Sequence, residues 1–173
     1  MKQSRQISSK IFKGEQLNRQ LKIWKLLGRK LVFTNGVFDI LHYGHLVLLG
    51  EASSFADILI VDVNSDASVK RLKGDSRPVN NEYSRALMLA SLVMVDAVII
   101  FEEDTPLELI KNVMPDVLVK GGDYTIEKIV GAKEVHDNGG EVKIVPVEKG
   151  FSTTSIIEKT KNTNPFTDKK ENA

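Results

Sequence analysis

Thr34-Asn35-Gly36-Val37-Phe38-Asp39-Ile40-Leu41-His42-Tyr43-Gly44-His45 follows directly on the apolar run Leu31-Val32-Phe33. A short apolar run that breaks into Asn-Gly reads as a buried strand meeting a loop. Two of the chain's 3 histidines fall where that loop gives way to a helix starting near Gly44. A helix N-terminus exposes unpaired N–H groups and a partial positive charge, so it attracts phosphate. Gly44 lacks a Cβ and lets backbone approach a ligand closely. Imidazoles donate hydrogen bonds to phosphate oxygens, more strongly when protonated. On the residues alone, a structural histidine pair and a zinc site stay open, though zinc lacks a cysteine or a third histidine nearby. His136 lies on a later amphipathic segment and reads as structural or exposed.

The same alternation continues outward. Ile58-Leu59-Ile60-Val61, Val98-Ile99-Ile100-Phe101, Val117-Leu118-Val119 and Val142-Lys143-Ile144-Val145 are further apolar runs. The first two are nearly continuous, as in strands buried on both faces of a parallel sheet. Helical segments lie between them. Leu17, Leu21 and Trp24 share a face ahead of Gly28, and Ser84 to Val93 carries Leu87, Ala90 and Leu92. Thr105-Pro106-Leu107-Glu108 has the form of a capping box, and Ile129, Ala132 and Val135 share a face before Gly139-Gly140. Strand and helix in turn predict an α/β fold: a doubly wound, Rossmann-like parallel sheet in a three-layer α/β/α arrangement, one domain. Glycines and polar residues collect after the strands, as in Asn35-Gly36, Asn64-Ser65-Asp66 and Lys120-Gly121-Gly122-Asp123. In open α/β sheets that carboxyl edge is where ligands bind.

Three more segments qualify as anion sites. Ser152-Thr153-Thr154-Ser155 crowds hydroxyls at a helix entrance, with Ser155 and Glu158 spaced as a capping box; an ordinary N-cap is the plainer reading. Lys70-Arg71-Leu72-Lys73-Gly74-Asp75-Ser76-Arg77-Pro78 is a basic loop, which on its own reads as a solvated charge run. Lys120 sits at the end of a strand before two glycines.

Gly36-Val37-Phe38-Asp39 followed by His42-Tyr43-Gly44-His45 resembles the signature of the cytidylyltransferase-like nucleotidyltransferases. The Ser152–Ser155 run, the basic loop and Arg85 match further family segments. Lys120-Gly121-Gly122-Asp123-Tyr124, with Val95-Asp96 and Glu103-Asp104-Thr105-Pro106, looks like the heptose 1-phosphate adenylyltransferase branch, the transferase half of bifunctional ADP-heptose synthases. The resemblance covers about residues 28 to 159. It implies transfer of AMP from ATP to D-glycero-β-D-manno-heptose 1-phosphate, with release of pyrophosphate and with Mg²⁺ accompanying ATP. It implies catalytic roles for His42, His45 and Lys73. It assigns nucleotide binding to Asn35, Gly36, Phe38, Gly44, Lys120, Gly121, Ser152, Thr153, Thr154 and Ser155. Asp39, Asp66, Arg77 and Asp123 are then expected at the substrate. No metal ligand is assigned; Asp39 is considered for Mg²⁺, against a local turn. A glycerol-3-phosphate cytidylyltransferase-like enzyme using CTP and a non-catalytic nucleotide-binding domain are the alternatives. A nicotinamide-dependent oxidoreductase lacks its G-x-G-x-x-G after the first strand.

Composition sets the outer bounds. The chain has 173 residues, 42% hydrophobic and 27% charged, with formal net charge +1 and no cysteine. Those values fit a globular domain and exclude disulfides, thiolate metal sites and a cysteine nucleophile. They give no sign of a general nucleic-acid binder. The N-terminus has no apolar signal segment and no run is long enough to span a bilayer, so a cytoplasmic protein is expected. The expected division is a helical extension over 1–28, a nucleotidyltransferase domain over 29–160 and a disordered polar tail over 161–173. No sugar kinase domain fits in this length, so a separate kinase is expected to supply the substrate. A homo-oligomer is expected from the resemblance.

Overall fold

In the computed structural model, which describes residues 6–146, 148 and 150–162, the apolar runs form one six-stranded parallel sheet with helices on both faces. The strands are β1 (Ile11–Phe12), β2 (Leu31–Gly36), β3 (Ile58–Asn64), β4 (Ala97–Phe101), β5 (Val117–Gly121) and β6 (Glu141–Val145). The helices are α1 (Gly14–Leu26), α2 (Tyr43–Ser53), α3 (Asp66–Lys73), α4 (Glu82–Ala90), α5 (Leu107–Val113), α6 (Ala132–Asp137) and α7 (Thr153–Asn162). A single 3₁₀ turn, Ile126–Lys128, lies between β5 and α6.

Strand order is β1-β4-β3-β2-β5-β6, all parallel. The chain winds outward from β2 to β3 and β4, then returns to place β5 on the other flank of β2. The direction of winding reverses between β2 and β5, and that is where the carboxyl ends of an open sheet leave a crevice.

Alternation along each strand divides the core in two. Val32, Val61, Val63, Val98 and Val119 face α2 and α4, where Leu49, Ala52, Ala86 and Leu89 meet them. Phe33, Ile60, Ile99 and Leu118 face the opposite way, onto Leu17 and Leu21 of α1, Ile110 and Val113 of α5, and Val135 of α6. The central strands are covered on both sides, which is why their sequences read as continuous apolar runs rather than alternating ones.

Several local features differ from the sequence reading. The segment expected only as a helical extension also supplies β1, whose Ile11 and Phe12 pair with Val98 and Ile99. A two-residue strand is too short to show a period. Helix α4 starts at Glu82, earlier than Ser84, because Asn81 Oδ1 accepts from the Ser84 N–H at 2.9 Å. Pro106 is the N-cap of α5 and no side chain caps it, so the Thr105–Glu108 box does not form. The polar tail expected over 161–173 lies, from residue 163 on, outside the described residues. No helix among the described residues is long and apolar enough to cross a membrane.

Candidate active site

The crevice at the end of β2 and β5 is built on two glycines. Thr34 pairs with Val119, and the same register carried two residues further sets Gly36 beside Gly121. A Cβ on Gly121 would lie 3.0 Å from Leu48 Cδ2, and one on Gly36 3.1 Å from the Phe38 ring. Both positions are closed to a larger side chain by the neighbours that line the crevice.

On the α2 side the loop Val37–Leu41 brings the histidines together. Phe38 takes a positive φ of 47°, uncommon for a non-glycine residue, and its buried ring packs 5.1 Å from that of His45. His42 is the N-cap of α2 in an extended conformation and makes no side-chain cap bond. The two imidazoles stack at 3.7 Å between centroids, 18° apart in plane. A Cβ on Gly44 would come 3.3 Å from the His42 ring, so glycine leaves that ring its place. Burial lowers the His42 pKa, and burial together with the His42 charge lowers that of His45 to about 4. Both rings are therefore neutral at pH 7 in the free protein. The buried Nδ1 of each, and Thr34 Oγ1 on the same face, have no hydrogen-bond partner among the described residues.

The loop is locked from the side by buried ion pairs. Asp39 is 1% exposed, and its Oδ1 accepts from the N–H groups of Val79 and Asn80 at 2.8 and 2.9 Å. Its Oδ2 accepts from Arg77 Nε at 2.6 Å. Burial alone would raise the Asp39 pKa, but the two N–H groups and the guanidinium outweigh it and hold it below the usual value. Asp39 and Arg77, expected at the substrate, pair with each other, and Asp39 also holds the loop after α3 through the Val79 and Asn80 N–H groups. Arg85 is fully buried and donates to the carbonyls of Val37 (2.7 Å) and Asn80 (2.9 Å) and to Asp66 Oδ1 (2.7 Å). One guanidinium ties the histidine loop, the loop before α4 and the start of α3. Asp66, also expected at the substrate, gives one carboxylate oxygen to Arg85 and stays partly exposed.

On the other face of β2 and β5 lies a cavity of about 350 Å³ with apolar walls that include Leu72, Ile129 and Val130, into which Asn35, Asn64, Lys120, Asp104 and Lys128 bring polar groups. Lys120 Nζ donates to Asn35 Oδ1 at 2.9 Å and sits 5.9 Å from the centre of the Tyr124 ring. Burial lowers the Lys120 pKa, and the nearby Asp62 carboxylate opposes that shift. Asp123 is exposed beyond the rim.

Ser152–Ser155 forms the entrance of α7. The helix starts at Thr153, so Ser152 is its cap: Ser152 Oγ accepts from the Ser155 N–H at 3.0 Å and Ser155 Oγ from the Ser152 N–H at 3.3 Å. The box closes three residues ahead of the Ser155–Glu158 pairing expected from spacing, because two serine hydroxyls satisfy the first-turn donors reciprocally. The Phe151 ring leans on that of Tyr43 at 5.1 Å, so the entrances of α7 and α2 converge beside His42. Lys73 is not drawn into this convergence; it ends α3, exposed, ahead of Gly74.

Three participants are absent from the sequence reading. Val79 and Asn80 hold Asp39 through backbone N–H groups, which no residue type announces. Asp62 is fully buried on β3 beside Asn35. Its signal is visible in hindsight: a lone carboxylate interrupting the run Ile58 to Val63. Among the described residues no group of three or more His, Asp or Glu could hold a metal ion.

A family model described as cytidylyltransferase-like matches residues 33–167. The bifunctional protein HldE of Koribacter versatilis is 52% identical over 151 residues, and that of Rhodopseudomonas palustris strain BisB5 is 58% identical over 144. These matches cover 87% and 83% of this chain but only 31% and 29% of the relatives, so the chain spans about three tenths of their length. Among solved structures, a lipopolysaccharide core biosynthesis protein from Thermoplasma volcanium is 34% identical, with a TM-score of 0.57, over 72% of this chain and 100% of that one. Pantoate-β-alanine ligase from Francisella tularensis, solved with an ATP analogue and β-alanine, is 15% identical with a TM-score of 0.56 over 87% of this chain and 76% of that one, a likeness of fold alone.

Proposed function

The chain belongs to the cytidylyltransferase-like family of nucleotidyltransferases, and from that premise we propose that it transfers AMP from ATP to D-glycero-β-D-manno-heptose 1-phosphate. The observation that carries the reaction type is the pairing of a neutral, stacked histidine couple with two converging helix entrances on one flank of a glycine-floored crevice, and a lysine-bearing cavity on the other. Two anionic substrates fit that layout. The triphosphate lies on the α2 and α7 entrances, the acceptor phosphate by Lys120, which the resemblance alone assigns to the nucleotide, and the α-phosphorus between them over Gly36 and Gly121.

An acceptor phosphate oxygen attacks the α-phosphorus in line. A new P–O bond forms, the bond to the bridging oxygen breaks, and its electron pair leaves with pyrophosphate. The attacking oxygen is already ionised at pH 7, so no general base is required. The protein supplies alignment and charge stabilisation. His42 and His45 donate N–H hydrogen bonds to the phosphates, and the incoming negative charge draws a proton onto the pair. Backbone N–H groups at the starts of α2 and α7 add fixed positive ends. Lys73, which lies outside that convergence in the free protein, has to swing in from the end of α3 to meet the triphosphate. The described residues offer no cage for Mg²⁺, which enters as the counter-ion of ATP, held by phosphates and water.

The choice of ATP and of a heptose rests on the Lys120–Tyr124 segment and on the identity to the HldE proteins, together with the name of the Thermoplasma relative. A sugar kinase activity supplies the sugar 1-phosphate, the enzyme works in the cytoplasm, and it self-associates. The test is pyrophosphate release from each of the four nucleoside triphosphates against a panel of sugar 1-phosphates and glycerol 3-phosphate. Release with ATP and the heptose phosphate alone is expected. Release with CTP and glycerol 3-phosphate moves the protein to the neighbouring branch.

A further inference from the structure

Beneath the Lys120 cavity, three adjacent strands set three polar side chains in a row. Lys120 on β5 donates to Asn35 on β2, and Asn35 pairs in register with Asp62 on β3. Asp62 is 0% exposed, and neither carboxyl oxygen has a well-formed hydrogen bond among the described residues; the N–H of its neighbour Val63 gives the charged form some support. Asn64, two residues on along the same face, lines the cavity directly above it. A buried carboxylate without donors is costly, whereas a neutral carboxyl is much less so. Burial and the charge of Glu103 push the Asp62 proton affinity well up, and Lys120 opposes them.

We propose that Asp62 sets the charge beneath the cavity: it carries a proton whenever an anionic group sits on Lys120, so at a pH where the free carboxyl is ionised, binding of the acceptor's phosphate takes up one proton from solvent. The role assigned to the phosphate rests on the reading of this cavity as the acceptor site. The reason is electrostatic. An ammonium flanked by two negative charges in a poorly solvated site has a lower free energy once one of them is neutralised. The carboxyl is fully buried without a well-formed hydrogen bond among the described residues, whereas the phosphate reaches the cavity from solvent, so the carboxyl takes the proton. The other charged groups around the cavity are Glu103 and Asp104 after β4, Lys128 on the 3₁₀ turn, and Arg71 on α3, which bonds Asp104 Oδ1 and the Glu102 carbonyl. Asn35 and Asn64 do not titrate. Asp62 therefore acts through Lys120, as a positioning residue.

Sulfate is the probe, because it stays doubly charged over the whole range and needs no turnover. Its dissociation constant is read by NMR titration between about pH 6 and 8, with Lys120→Met identifying the signals that belong to this cavity. In the wild type the constant should rise as pH rises, by up to about tenfold per unit once Asp62 ionises. Asp62→Asn, which mimics the protonated carboxyl, should hold the low-pH affinity within about twofold throughout. A wild type that binds sulfate equally across the range, a variant that weakens in parallel with it, or a response that survives in Lys120→Met overturns the proposal. Calorimetry of the wild type in buffers of different ionisation enthalpy gives a second reading independent of the variant: uptake approaching one proton is expected, and none contradicts it. Absence of pyrophosphate release would count against the acceptor assignment while leaving the sulfate result to decide the role of Asp62.

Discussion

The imidazole rings of His42 and His45 lie stacked, 3.7 Å apart at their centroids, with the Nδ1 of each buried and unpartnered among the described residues. Two imidazolium ions cannot share that geometry cheaply in a desolvated site. The pair is held neutral and close to the start of α2, where the proposed mechanism has a bound phosphate supply the charge that lets one ring protonate.

The first prediction concerns pH. The pKa of His45 falls from its ordinary value of 6.5 to about 4 in the folded protein, mainly through burial and then through His42. Between those two values the unfolded chain binds more protons at this residue than the folded one. Its contribution to stability is therefore complete above the unfolded value and is lost as pH falls from 6.5 toward 4. With solvent screening the loss amounts to about 2 kcal/mol. NMR titration of the His45 ring should show the depressed value, and ATP should raise it; a ring that titrates near 6.5 with or without ATP contradicts the neutral pair.

Removing the Asp39 carboxylate should destabilise the fold more than it alters chemistry directly. Asp39→Ala leaves Arg77 and the N–H groups of Val79 and Asn80 without their acceptor in a buried site. The expected cost is about 3 kcal/mol, read as a shift in the urea midpoint. A change under about 0.5 kcal/mol would show that the loop does not depend on it.

Arg85→Lys keeps the charge but loses the planar fork that reaches Val37, Asn80 and Asp66 together. At least one buried carbonyl loses its donor, for about 2 kcal/mol of stability. The histidine loop hangs from the Val37 carbonyl, so the KM for ATP should rise as well. A variant as stable and as active as the wild type would remove Arg85 from the account.

Gly44→Ala tests the placement of His42 without touching a histidine. The added methyl meets the His42 ring at 3.3 Å and Phe151 Cβ at 3.5 Å, so the ring has to shift by a few tenths of an ångström. Turnover should fall by about tenfold, or ~1.4 kcal/mol, while the fold survives. Unchanged turnover would mean that the position of this ring is not critical.

The sheet, its parallel sense and the place of the crevice are legible in the sequence, because continuous apolar runs and terminal glycines carry that information locally. The helix start at His42 is legible for the same reason. Arg77, Asp39 and Asp66 are legible as charged residues near the site but not as partners of one another or of Arg85, since their pairing depends on the return of the chain after α3. The cap of α7 falls at Ser152 rather than Ser155, a choice among neighbouring hydroxyls that spacing alone leaves open. Asp62 is hidden most fully. Its neighbours Asn35 and Lys120 lie 27 and 58 positions away in sequence and meet it only through the strand order.

The most direct measurement follows the α-phosphorus. ATP labelled there is incubated with the protein, Mg²⁺ and D-glycero-β-D-manno-heptose 1-phosphate, and the products are separated. The account predicts that the label appears in a nucleoside diphosphate sugar and that the pyrophosphate released is unlabelled. Label recovered in ADP, with the γ-phosphate moved to the sugar, or label left wholly in ATP despite bound nucleotide, would contradict nucleotidyl transfer as the activity of this site.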